Sequence, residues 1–243
     1  MQLQLRFHSE FGCAERIGRT RRETNGDVTD NMAQFFVVHA QNPQRRLIRR
    51  AVETLRSGGL IVYPTDSCYA LGCRIGEKQA MGRLRRVRQM DESHHLTLVC
   101  RDLSEIAQYA RVDNVQYRLL RKTTPGSYTF ILRATREVPK RLLNPRRKTI
   151  GLRVPEHPVV QALLQELGEP ILSSTLILPG DDRPMTDAEE IRERLEHDVD
   201  LILDAGSCGV EMTTVVDLTG EAPEILRFGK GRIEPFAEEM TLH

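Results

Sequence analysis

The sequence predicts an α/β domain. Short apolar runs of strand length recur seven or more times, about six stretches with helical spacing of apolar residues lie among them, and turn residues separate the two kinds. FFVVHA (35–40) reads as the first strand. QRRLIRRAVETLRSGG follows as a helix, because Leu47, Ile48, Ala51, Val52 and Leu55 share one face and Gly58-Gly59 stops it. LIVYP (60–64) is a strand ended by proline. EKQAMGRLRRVRQ is a helix with Ala80, Met81, Leu84 and Val87 inward and arginines outside. LTLVC (96–100) is a strand, and helices follow at about 103–110 and 114–122, the second entered at Asp113. PGSYTFILR turns at Pro125-Gly126 into a strand, and KTIGLRVP is another, ended by Pro155. HPVVQALLQELG is a helix closed by Gly168, and 170–178 (PILSSTLIL) is a strand. Thr186 and Glu189 have the spacing of a capping box opening a helix near 187–196. VDLILDAG, TTVVDLT and PEILRFG read as closing strands. Residues 1–31 show scattered charge and little apolar period, so they read as a poorly ordered extension or an upstream leader, with one domain over 32–243.

Composition narrows the function classes. The chain has 243 residues, and its 35 Lys and Arg balance 34 Asp and Glu, so overall charge predicts no polyanion partner. The distribution is less even: RLRRVR (83–88) and KRLLNPRRK (140–148) are basic, and 186–200 leans acidic. A solvated helix face plus a charged loop explains these runs as well as a basic binding face does. No apolar run reaches the roughly 18 residues of a membrane span. Five cysteines without a C-x-x-C pair suggest reduced thiols in a cytoplasmic protein and offer no structural zinc set.

YPTDSCYALGC (63–73) interrupts the apolar pattern with five consecutive residues that carry hydroxyl, carboxyl or thiol groups. Cys68 as a nucleophile would need a neighbouring base or helix N-terminus, which the sequence does not place. Ser67 lacks the G-x-S-x-G elbow. A side-chain-capped turn and a small-molecule binding loop both suit Thr65 and Ser67, with Tyr63 and Tyr69 as walls.

This stretch resembles the YPT-[DE]-x-x-[YF]-G-[LV]-G-C segment of the YrdC-like threonylcarbamoyl-AMP synthases. PGSYTFIL, GLRVPEHP, ILSSTLIL, TTVVDLT and ILRFGKG resemble further family segments in the same order. The resemblance implies a single domain with a twisted open sheet flanked by helices and a large concave basic cavity. It implies ATP, L-threonine and bicarbonate as substrates, possible use of Mg²⁺, threonylcarbamoyl-adenylate and pyrophosphate as products, and a place in tRNA modification. It also implies that Thr65, Arg88, Arg153, Thr175, Thr213 and Arg227 contact substrate or nucleotide, with Arg153 facing a carboxylate that suits a bidentate guanidinium.

Two family signatures are altered. K-x-R falls on Arg88-Gln89-Met90 and S-x-N on Thr175-Leu176-Ile177. Losing a buried charged partner costs about 2–5 kcal/mol, and losing a polar partner about 1–3 kcal/mol. Together these imply activity lower by roughly 10² to 10⁶, or diverged. The same replacements, with the His94-His95-Leu96-Thr97-Leu98 segment, resemble the YciO-like branch. His94 and His95 are cavity candidates on that basis, or exposed polar residues before a strand. The alternative function is binding of structured, double-stranded RNA or a nucleotide, with Arg83, Arg85, Arg86, Arg146, Arg147 and Lys148 as phosphate contacts. Few aromatics and no Trp fit backbone contact better than base stacking.

Overall fold

The computed structural model describes residues 32–91 and 96–240. The 1–31 extension and the His94-His95 pair lie outside them. The strands are β1 Gln34–Val37, β2 Ile61–Tyr63, β3 Ala70–Arg74, β4 Thr97–Val99, β5 Tyr128–Arg133, β6 Thr149–Arg153, β7 Ile171–Thr175, β8 Leu201–Asp204, β9 Thr214–Asp217 and β10 Glu224–Arg227. The α-helices are α1 Arg45–Arg56, α2 Lys78–Val87, α3 Leu103–Tyr109, α4 Asn114–Thr123, α5 Pro158–Leu167, α6 Ala188–Leu195 and α7 Glu234–Met240. The strands form one mixed open sheet in the order β1-β8-β2-β3-β7-β4-β6-β5-β9-β10.

Local chemistry accounts for most boundaries. α4 begins with a reciprocal capping box between Asp113 and Gln116. α5 begins with proline at its first turn and ends on Gly168, whose φ of 78° is left-handed. α6 is capped by Asp187, which accepts from the Glu190 N–H, one residue later than the Thr186–Glu189 reading. Asp187 is itself a strong cap, and the register in which Ala188, Ile191 and Leu195 are buried selects it.

Two elements depart from the sequence reading. β3 pairs antiparallel with both β2 and β7, so 64–69 is a hairpin loop and does not lead into a helix. Its first four residues are buried, which removes the alternation that marks a half-buried strand. The short C-terminal helix α7 was also unmarked, although Phe236 is fully buried against Tyr128 and Phe130.

The two faces of the sheet are treated differently. On one, Val62, Leu71, Leu98, Phe130, Leu152, Leu172 and Val216 form the large core with α2, α3, α4, α6 and α7. On the other, Ile61, Tyr63, Val99, Ile171, Leu201 and Leu203 pack under α1 and α5. Side chains alternate along a strand, so Thr97 lies on the same face as Val99, and Ser173 on the same face as Ile171. No described helix core continues over that half of the sheet, and it forms the floor of a cavity.

Candidate functional site

The cavity has a volume of about 370 Å³, within the range of roughly 300–1,000 Å³ common for small-molecule sites. Its floor is a row of aligned residues. Ser173 pairs with Thr97, Thr97 with Gly151, Gly151 with Ile131. Thr129, Thr149, Thr175 and Thr213 extend this hydroxyl-bearing surface. At Gly151 a Cβ would stand 3.1 Å from Thr97 Oγ1, so the glycine keeps this part of the floor open. Four arginines line the walls, Arg88, Arg147, Arg153 and Arg227, and among the described residues no carboxylate does. The chain is near neutral, yet this concavity is cationic.

Strand register and hydrogen bonds set the arginines around this floor, with Arg88 on the β7 side and Arg147 on the β9 side. Arg153 pairs along its strand with the Val99 row and neighbours Thr129, which bonds Thr213 at 2.8 Å. Arg227 donates to the Thr213 carbonyl from Nε (3.1 Å) and Nη2 (3.0 Å), which places it at the Arg153 end. Thr149 and Thr175 mark the other end, four residues or about 13 Å along β6. Arg88 follows α2, and its Nε lies 3.4 Å from Ser174 Oγ. Met90 Sδ receives Ser174 Oγ–H at 3.7 Å. The two altered signatures therefore meet: Arg88 and Met90 face Ser174, Thr175 and Ile177 across the cavity wall.

Electrostatics favour an anion here. Burial pushes both Arg88 and Arg227 below the ordinary arginine range. An anion bound between them would offset that desolvation. Arg153 is 6% exposed and forms an ion pair with Asp66 through Nη2, which also lies 3.4 Å from Ser67 Oγ. Its buried Nε–H has no acceptor among the described residues. Asp66 also accepts from Ser127 Oγ at 2.9 Å, and its carbonyl accepts from Lys230. His157, where α5 starts, is pushed below the ordinary histidine range by burial, so its imidazole is neutral at neutral pH.

Thr65 is not brought into the lining. Its Oγ1 donates to the Cys68 carbonyl (2.7 Å) and accepts from the Ser67 and Cys68 N–H groups (each 3.2 Å). The hydroxyl shapes the hairpin loop, as in the capped-turn reading. Burial raises the Cys68 thiol above its ordinary range, which opposes thiolate formation. Thr175, Thr213, Arg88, Arg153 and Arg227 all line the cavity together.

The proposed phosphate-contact residues separate. Arg83 forms a two-point ion pair with Asp200, and Arg85 donates to the Asp91 carbonyl, so both are spent on structural contacts. Arg86, Arg146 and Lys148 are exposed. Arg147 lines the cavity. Sequence reasoning found Thr175 and Thr213 but missed Asp66, Asn144, Thr97, Thr129, Thr149 and Ser173. Their signal was available: Thr97, Thr129 and Ser173 occupy positions that β alternation directs to one face of otherwise apolar strands.

The Sua5/YciO/YrdC family model, described as telomere recombination, matches residues 53–229. The chain belongs to the Sua5/YciO/YrdC family. It is 57% identical over 205 residues to YciO of Escherichia coli K12, covering 84% of this chain and all of that protein. It is 30% identical over 191 residues to the threonylcarbamoyl-AMP synthase of Bos taurus, covering 74% of this chain and 68% of the relative. The crystal structure of E. coli YciO superposes with a TM-score of 0.82 at 56% identity, over 84% of this chain and 100% of that one. P. abyssi Sua5 complexed with L-threonine shares the fold, with a TM-score of 0.74 at 24% identity over 80% of this chain and 57% of that one. The α/β fold inferred from sequence therefore stands.

Proposed function

We propose that the cavity binds ATP and an amino acid, L-threonine first, and forms the threonylcarbamoyl adenylate more slowly than relatives that keep both signatures. The observation that carries this reading is a cavity with four arginines and, among the described residues, no carboxylate, set around a hydroxyl-lined floor. Such a surface suits a ligand with two separated anionic groups, an amino-acid carboxylate and a phosphate chain. The resemblance to a synthase at 30% identity and to a Sua5 structure holding L-threonine supports the choice of substrate.

In this reading Arg153 and Arg227 neutralise the carboxylate and Arg88 the phosphates. The threonine amine takes up bicarbonate carbon with loss of water and becomes a carbamate. A carbamate oxygen attacks the α-phosphorus, the bond to the β-phosphate oxygen breaks, and pyrophosphate leaves. Positioning and charge neutralisation drive such a step, so no protein nucleophile is needed. Among the described residues the lining supplies no carboxylate to hold a Mg²⁺. The metal would enter as the substrate's own ATP complex.

The test is turnover of ATP, L-threonine and bicarbonate with Mg²⁺, read as adenylate and pyrophosphate. Product is expected from the wild type, at least tenfold less from Arg88→Ala, and more from Met90→Arg/Ile177→Asn. Silence from both the wild type and the restored double variant would reject the synthase reading. An exposed cleft lined by Arg111, Arg133 and Lys148 beside Arg147 favours a second reading, phosphate-backbone contact with structured RNA. It predicts binding that weakens steeply with salt.

A further inference from the structure

We infer that Arg147 binds the ligand's phosphate chain from the β9 side of the cavity, across the floor from Arg88 on the β7 side, and that Asp217 is its positioning residue. This rests on the nucleotide reading above and names a further cation for the cavity in which Met90 stands in the altered signature. Arg147 belongs to the turn between β5 and β6. Asn144 Oδ1 accepts from the N–H groups of Arg146 (3.0 Å) and Arg147 (2.9 Å), which fixes the backbone two residues before β6 begins. The side chain then reaches across β5 to β9. There Nη2 donates to Asp217 Oδ2 at 2.6 Å and to Thr219 Oγ1 at 2.7 Å.

Asp217 is built for this task. It is 2% exposed, and its Oδ1 accepts from the Thr219 N–H (2.9 Å) and Oγ–H (2.6 Å), which leaves Oδ2 directed at the arginine. Both anchoring contacts use one nitrogen of the guanidinium. The Nη1 and Nε groups carry no hydrogen bond among the described residues, while the side chain lines the cavity and stays about half exposed. A fork with one tine tethered and the other edge open suits two phosphate oxygens. A lysine cannot hold that geometry while keeping both anchors.

Calorimetric titration with ATP, AMP, adenosine and inorganic pyrophosphate tests the assignment. Arg147→Ala is expected to weaken ATP and pyrophosphate by about 10- to 100-fold and to leave adenosine within about twofold. Arg147→Lys should recover part of the loss. Because Arg147→Ala leaves the Asp217 carboxylate without its cation, Arg147→Ala/Asp217→Asn is measured beside it; it should recover a little affinity by removing that repulsion and still bind phosphate well below the wild type. Arg121→Ala, exposed on α4, controls for general surface charge and should bind as the wild type does.

Unchanged ATP and pyrophosphate affinity in Arg147→Ala overturns the assignment. So does full recovery in the double variant, which would make the stranded carboxylate the cause. If the wild type binds pyrophosphate but no nucleotide, the nucleotide reading fails and Arg147 is still judged on pyrophosphate. If the wild type binds neither, both fall.

Discussion

Tyr63 shows how single residues build the cavity floor. Its hydroxyl reaches Ser173 Oγ at 2.7 Å, and Ser173 donates on to the Leu71 carbonyl at 3.0 Å. The ring crosses β3 only because Gly72 lies beneath it. A Cβ there would stand 2.6 Å from Tyr63 Cε1 and 2.7 Å from Ile171 Cγ2. Gly72→Ala is therefore expected to destabilise the fold by about 1–3 kcal/mol, measured by urea denaturation, with Tyr63→Phe milder. Asp217 gives a pH signature. Burial pushes its carboxyl up, but hydrogen bonds from Thr219 and Arg147 outweigh burial and hold it below the ordinary aspartate range. A depressed carboxyl stabilises the fold above its unfolded value of about 3.9, and that contribution is lost as pH falls through the lower folded value. Asp217→Asn should thus cost about 1–3 kcal/mol near neutrality. The gap from wild type should narrow below about pH 4 in a melting series.

At the scale of elements, the decisive arrangement is that α1 and α5 cover only one half of a sheet face. The helix faces that do this were legible in the sequence: Ile48, Ala51, Val52 and Leu55 on α1, and Val159, Val160, Leu163 and Leu164 on α5, repeat at helical spacing. Their partners across the sheet were not, because strand order depends on long-range pairing. The α4 capping box was also legible. Asp113→Ala is expected to lower stability by about 1 kcal/mol, read by thermal melting, with little effect on ligand affinity because α4 belongs to the opposite core. β3 escaped notice for a physical reason: a central strand buried on both faces, with a glycine in its middle, lacks both alternation and strand propensity.

For the whole molecule, the cationic cavity inside a near-neutral chain predicts a linkage effect. A ligand present at 100 times its dissociation constant stabilises the folded state by about 2.7 kcal/mol. For a domain of this size that raises the melting temperature by roughly 5–10 °C. ATP should produce this shift and adenosine much less. Equal shifts, or none, in a thermal melt would place the anion-binding role elsewhere. Among the described residues no helix is long and apolar enough to cross a membrane.

Local sequence determined every helix but α7, most strands, the Asp113 cap and the family, because apolar period, capping chemistry and ordered motifs act over a few residues at a time. It also marked Arg88, Arg153, Thr175, Thr213 and Arg227, which do share one cavity. The tertiary structure alone decided that Thr65 turns inward to its own loop, that Arg83 is held by Asp200, and that Arg147 leaves an apparent surface run to line the cavity. Each of those outcomes depends on a partner far away in the chain, 117 residues off for Arg83 and 70 for Arg147, or on a competing backbone hydrogen bond. Residue type states what a side chain can do, and only the packed fold determines which partner reaches it first.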